Sequence, residues 1–371
     1  MRWTFFVKTS NKDTKLQKSF RINPIIFVKK YAKSVLILHP ENKQHTMNSK
    51  NYNPIEEVLE KVKAKGGWVN AHSHLDRAYS LTPDTFALSN SFLKEKWHLV
   101  DDMKRNSSVD DIYFRMEKAI TYMLEQGAQA IGSFIDCDEV IEDRSIQAAQ
   151  RLKENYGKDI EIRFANQVLK GVIDPKARQW FDLSSDFVDI IGGLPAKDFG
   201  REDEHLDILL STAKAKNKLV HVHVDQFNTD EEKETEQLAR KTIEHGMQGK
   251  VSAVHSISVA AHPRKYRYEL YELIKEADMN IISCPTAWID HNRTERLAPS
   301  HNSVTPVDEM IPRGINVAFG TDNINDIYKP FSDGHLLTEL RVMLESCHFY
   351  DVDKLAEIAT DNGLKALGIQ K

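Results

Sequence analysis

The stretch Val69-Asn70-Ala71-His72-Ser73-His74-Leu75-Asp76 decides how the rest of the chain is read. An apolar strand over residues 68–71 runs straight into His-x-His. Residues two apart on a strand point to the same side, so His72 and His74 aim both imidazoles at one point, as a bound metal ion requires. A lone His-x-His also fits two polar residues that merely close a strand. The two readings separate on whether ligand-type residues wait at the ends of other strands.

Working outward, apolar runs of strand length recur at 130–135, 160–165, 187–191, 219–224, 251–255, 280–284 and 315–319, which with 68–71 makes eight. Amphipathic helical stretches lie between most of them, at 142–155, 204–217, 231–245 and 266–277; the link after Ala165 shows no clear pattern. A helix over 54–65 opens the series, with Pro54 in its first turn and Gly66-Gly67 as its stop. Ser108-Val109-Asp110-Asp111 resembles a capping box with Asp in place of Glu and starts a helix over 109–126. Helices over 333–346 and 352–362 close the chain. Strands alternating with helices predict parallel βα units, and eight of them predict an α/β fold of the (β/α)8 TIM-barrel type, with its active site at the C-terminal strand ends. An open doubly wound sheet would want a Gly-rich phosphate turn after an early strand, and the sequence has none. Residues 80–101 read as a long connection, which beside a candidate site implies function.

The predicted strand ends carry the awaited ligands. The fifth ends Val220-His221-Val222-His223-Val224-Asp225-Gln226, the sixth Ala253-Val254-His255, and the eighth Ala318-Phe319-Gly320-Thr321-Asp322-Asn323. Each alone has a structural explanation, but four strands ending in metal-type residues at one rim point to a metal site.

Composition agrees with an enzyme. The 371 residues are 41% apolar and 28% charged with net charge −5, and no basic stripe suggests a nucleic-acid partner. No apolar run reaches the roughly 18 residues of a membrane span. Three scattered cysteines, Cys137, Cys284 and Cys347, build no disulfide framework, which fits a reducing compartment, the cytoplasm. Residues 1–46 differ: they are strongly basic and hold two short apolar runs, 24–28 and 34–38. They read as an extension, either a targeting segment or sequence preceding a natural start at Met47, and receive no function.

With these residues in place, the chain resembles the amidohydrolase superfamily, and within it the cytosine deaminase-like branch. The resemblance rests on 69–76, 221–226, 252–255 and 316–322 and spans roughly 68–369, so that 47–371 is one hydrolase domain. Members usually add a small β-sandwich built from both chain ends; here it is expected to be reduced or absent. The resemblance implies one divalent ion held by His72, His74, His223 and Asp322, a nitrogen-rich set that suits Zn2+, with Fe2+ as the alternative. It implies attack of metal-bound hydroxide on a carbon bonded to nitrogen, with His255 contacting the hydroxide or the developing oxyanion and Asp322 taking the water's proton.

The chain departs from the branch at Gln226, where deaminases carry a proton-shuttling Glu; an amide hydrogen-bonds but carries no proton at neutral pH. Asp322 or His255 could take over that work. Asp225, next door, should point away from Gln226. Asn323 replaces a frequent second Asp. The Gln that reads a pyrimidine edge after strand 3 has no clear counterpart: Leu169 or Val168 falls near it, flanked by Gln167 and Lys170. The expected target is therefore an amide or amidine C–N bond in a small molecule rather than cytosine. Trp288 and Tyr328, in loops after strands 7 and 8, could stack a planar ring, and Asp76 would orient a ligand histidine. Lys197 lies too far past strand 4 to bridge two metals, which argues against a binuclear phosphoester or lactone hydrolase. A degenerate homologue that binds metal and ligand without turnover remains the alternative. A homo-oligomer is compatible with the sequence.

Overall fold

The computed structural model describes residues 52–227, 229–289 and 303–370; the short apolar runs at 24–28 and 34–38 and the start at Met47 lie outside them. Eight strands run in parallel, each paired with the next in chain order. They are β1 (Trp68–Asn70), β2 (Ala128–Asp136), β3 (Glu161–Gln167), β4 (Ile190–Gly193), β5 (Leu219–Val224), β6 (Val251–His255), β7 (Asn280–Ser283) and β8 (Asn316–Phe319). The ring closes between its last and first strands: Ala71 N donates to Phe319 O at 2.9 Å, Asp322 N donates to His72 O at 3.0 Å, and Ser73 and Asp322 form a parallel bridge. This is the TIM-barrel α/β fold. Apart from that bridge, no strand lies outside the barrel sheet among the described residues.

The helices are α1 (Pro54–Ala64), α2 (Pro83–Ala87), α3 (Leu93–Arg105), α4 (Val109–Glu125), α5 (Arg144–Tyr156), α6 (Pro175–Phe187), α7 (Glu202–Lys216), α8 (Glu234–Glu244), α9 (Arg264–Glu276), α10 (Val307–Met310), α11 (Leu336–Cys347), α12 (Val352–Ile358) and α13 (Asp361–Ala366). The capping box at α4 forms: Ser108 Oγ accepts from Asp111 N, and Asp111 Oδ2 accepts from Ser108 N.

Three expectations change. The run 187–191 is not one strand, because Phe187 ends α6, which Asp174 caps by accepting from Lys176 N and Ala177 N. The strand instead runs into Gly192-Gly193. At Gly192 a Cβ would fall 1.8 Å from Asn166 O, so only glycine lets β4 approach β3 this closely. Residues 80–101 are not a bare connection but hold α2 and most of α3. The closing helix 352–362 breaks at Thr360 into α12 and α13.

That break matters for the core. Leu364 and Leu367, in and just after α13, pack against Val69, Ala130, Phe134, Ala165 and Ile190 inside the barrel and plug its N-terminal end. His221 Nε2 meets Ala366 O at 2.9 Å in the same plug. His221 and His223 share one face of β5 by the two-residue period, but only His223 stands high enough to reach the opposite, C-terminal rim. His221 is thus a structural histidine.

Candidate metal centre and substrate cavity

The rim gathers four side chains from three strand ends. His72 and His74 follow β1, His223 lies on β5 and Asp322 follows β8. His223 Nε2 stands 3.4 Å from His74 Nε2, and Asp322 Oδ1 stands 3.3 Å from both His72 Nε2 and His74 Nε2. Ligand atoms held at bonds of ~2.1 Å in a tetrahedron are about 3.4 Å apart, so these spacings fit a single ion. The three imidazoles have ligand nitrogens all within 4.8 Å of one another and are fully buried.

The surroundings prepare the set. Among the described residues, both nitrogens of His72 and Nδ1 of His74 find no hydrogen-bond partner, an expensive state for buried polar atoms unless something binds them. His223 Nδ1 lies 3.2 Å from Gly193 O, which makes that nitrogen the donor and leaves Nε2 as a lone-pair ligand. Burial lowers the pKa of His72 and drives those of His74 and His223 well below the usual imidazole value, so all three are neutral. Burial alone would raise the Asp322 carboxyl. The charge of Lys329, 3.5 Å away, and the close imidazoles of His72 and His74, each 3.3 Å away, outweigh it and keep the group ionised. Three neutral nitrogens and a carboxylate match a borderline divalent cation. Cys284 lies near His72 and His255, but burial pushes its thiol far above its ordinary value, which disfavours a thiolate ligand.

Backbone shape aims these groups. Asp225, His255, Ser256 and Asp322 all have positive φ (51°, 79°, 51° and 58°), a region costly for side chains larger than glycine. Gly320 has His72 against it: a Cβ there would lie 2.5 Å from His72 O and 2.7 Å from His72 Cβ. Glycine at this position is what lets Asp322 close on the histidines.

Above the metal set opens a cavity of about 1190 Å³, lined by His74, His223, His255 and Asp322 and by Leu169, Gln226, Asn323 and Tyr328. Gln226 is 9% exposed and its Nε2 has no partner among the described residues. Asp225 turns away, as expected, and accepts from Glu234 N and Thr235 N. Asn323 spends its amide N–H on Asp326 Oδ2 at 2.5 Å, which holds the loop bearing Tyr328. Trp288 does not line the cavity. It is fully buried, its indole N–H donates to Thr305 Oγ1, and Thr305 Oγ1 in turn donates to His255 O. Trp288 therefore braces the His255 backbone instead of offering a stacking face. Asp76 also departs from expectation: it reaches no histidine and accepts from Asp136 N at 2.7 Å. Lys197 sits with its ammonium 4.7 Å from the Trp97 ring, outside the cavity lining.

Other wall residues receive no role of their own from the sequence, although Gln167 is noted beside Leu169 and residues 80–101 are read as functional. Arg77, Gln167, Lys329 and Glu232 all face the cavity, and Phe92, Lys96 and Trp97 at the start of α3 cover one side. Gln167, which ends β3, supplies a strand-3 amide after all, with Oε1 unpartnered. The signals were present but weak: Arg77 and Lys329 each adjoin a residue already singled out. Glu232 accepts from Phe227 N and Ser258 Oγ, and burial, with Asp225 and Glu234 nearby, pushes its carboxyl up to about 9.

Among described residues no helix is long and apolar enough to cross a membrane. Comparison with known proteins agrees with the geometry. A Haemophilus influenzae protein recorded only as uncharacterized is 52% identical over 274 residues, 73% of this chain and 98% of its own length. N-isopropylammelide isopropyl amidohydrolase of a Pseudomonas species is 24% identical over 329 residues, 85% of this chain and 78% of that protein. The solved structure of Klebsiella pneumoniae 5-methylcytosine deaminase with 5-fluorocytosine superposes with a TM-score of 0.76 at 26% identity, covering 81% of this chain and 74% of that one. Residues 66–371 match the Amidohydrolase family, and the chain belongs to it.

Proposed function

We propose that this protein is a mononuclear metal-dependent hydrolase of a non-peptide C–N bond in a small heterocyclic or amide substrate. The observation that carries this reading is the convergence of His72, His74, His223 and Asp322 at one edge of a cavity, with His74 3.4 Å from His223 and Asp322 3.3 Å from His72 and His74. Those four residues would hold the ion, Zn2+ by preference and Fe2+ as the alternative. A divalent ion bound there supplies Lewis acidity, which makes a water nucleophile available near neutral pH. The chain's own groups do the rest. His255, held through Thr305, faces the reacting centre as a hydrogen-bonding and proton-handling imidazole. Gln226 Nε2 donates to an acceptor on the substrate but moves no proton, so proton transfer falls to Asp322 and His255. Leu169, Asn323 and Tyr328 shape the space for a small ring. The three cysteines are free and buried, which supports a reducing, cytoplasmic setting.

The test is metal content measured together with release of ammonia or amine from a library of heterocyclic amides, amidines and aminopyrimidines, with Asp322→Asn as control. Turnover abolished in that variant is the expected result; fully loaded protein that hydrolyses nothing sinks the reading. Gln226 favours one alternative, a chain that binds metal and ligand without turnover. Its mark would be a silent wild type that Gln226→Glu awakens.

A further inference from the structure

One wall of the cavity holds donors that the protein leaves unused. Arg77, three residues past His74, is 3% exposed. Its Nη1 reaches Asp136 only at long range, 3.4 and 3.5 Å, and its Nε has no partner among the described residues. Asp136 is also shared with Lys104, 3.3 Å away. The guanidinium carbon of Arg77 lies 5.2 Å from the centre of the Tyr328 ring. Tyr328 is 5% exposed, and its Oη likewise has no partner among those residues. The ring is not loosely placed: Asp326 accepts from Tyr328 N, and Lys96 Nζ donates to Tyr328 O. Both side chains line the cavity that contains His74, His223 and Asp322. A buried N–H or O–H without a partner is costly, so two such donors on one wall call for an acceptor.

We propose that Arg77 and Tyr328 form an oxygen-binding subsite, a donor pair that holds a carbonyl or carboxylate oxygen of the substrate. The proposal rests on the hydrolase reading only in taking the substrate to enter this cavity. Asp136 offsets the guanidinium charge, so the pair needs no full anion; an oxo group on a neutral ring satisfies it. The substrate class is thereby narrowed to oxo-substituted rings or ring carboxylates. A ring bearing only amino groups would present N–H to N–H and O–H, and would leave both donors buried and unpaired.

The test uses the zinc-loaded full-length protein and calorimetric binding at pH 8.5 of two ring pairs that differ in oxo for amino groups: uracil against 2,4-diaminopyrimidine, and cyanuric acid against melamine. The oxo member of each pair should bind at least about tenfold tighter. Tyr328→Phe removes only an oxygen that holds nothing in the protein, so metal content and melting temperature should stay unchanged while the oxo preference falls several-fold. Arg77→Lys keeps the charge but loses the planar fork, and should lower kcat/KM for oxo substrates mainly through KM. Absence of an oxo preference, or a preference that survives both substitutions, overturns the subsite. Turnover of the C–N library without oxo preference removes the subsite and leaves the hydrolase standing. Oxo preference without turnover does the reverse.

Discussion

The two ends of the barrel are built from the same strands and end in opposite states. At the N-terminal end, α13 fills the barrel with Leu364 and Leu367, and His221 is spent on Ala366 O. At the C-terminal end, two residues further along the same strand, His223 has its Nδ1 fixed by Gly193 O and its Nε2 directed at His74. One end satisfies its polar groups from its own chain; the other accumulates buried nitrogens, an amide, a phenol and a guanidinium that the chain does not satisfy. Unspent hydrogen-bonding capacity, more than polarity, therefore marks the functional end.

The sharpest way to break this contrast is to exchange what each end loses. His223→Ala should abolish metal binding and cut turnover by ~10³-fold or more, since the metal-activated nucleophile goes with it. His221→Ala should keep the metal and lose about 1–3 kcal/mol of stability, because Ala366 O is left unpaired. Metal analysis beside urea unfolding reads both; equal metal loss in the two variants would collapse the distinction.

A second test reaches the functional end without touching a ligand. Gly320→Ala puts a Cβ 2.5 Å from His72 O. It should lower metal affinity about 10–100-fold, the range expected when a supporting residue displaces a ligand. A titration with a competing chelator measures it, and unchanged affinity would mean that β8 yields freely.

The acidity of the cavity wall gives a pH signature. Glu232 at about 9 and Glu234 at about 8 on the wall, and Glu339 at about 7 outside the lining, are all raised, chiefly by burial. A raised folded-state pKa means the folded protein holds the proton more tightly than the unfolded chain does. The stability so gained is complete below the unfolded value near 4.5 and is lost as pH rises through the folded one. The melting temperature should accordingly fall as pH climbs from about 5 to about 9, and Glu232→Gln should flatten the upper part of that decline. A melting curve indifferent to Glu232→Gln would show that this carboxyl is not held protonated.

The smallest effect belongs to the outer ring. Ser108→Ala removes the cap of α4 and should cost about 0.5–2 kcal/mol with metal content and kinetics untouched. It calibrates how far a stability change alone perturbs the site.

Much of this was legible in the residues. The period-2 pattern with His72 and His74, the eight alternating units and the ends His223, His255 and Asp322 follow from local rules that depend only on neighbours in the chain. The misreadings share one cause. Trp288 looked like a stacking face because it sits in a loop after β7, but Thr305, which buries it, is remote in sequence and comes from the segment before α10. Residues 80–101 looked like a loop because α2 is a five-residue helix with no buried side chain and the first turn of α3 faces the cavity as well as the core. Arg77 and Gln167 carried no periodic signal, since one residue at a strand end looks like any other until its neighbours close around it.

The sequence by itself determined the barrel, the ligand types and the order in which the strands present them, because backbone period and side-chain chemistry are properties of adjacent residues. Only the tertiary structure decided what His221 does at the other end of β5, which aromatic lines the cavity and which donors stay unpaired. Those depend on depth within the barrel and on partners far away in the chain, and burial is a property of the whole fold.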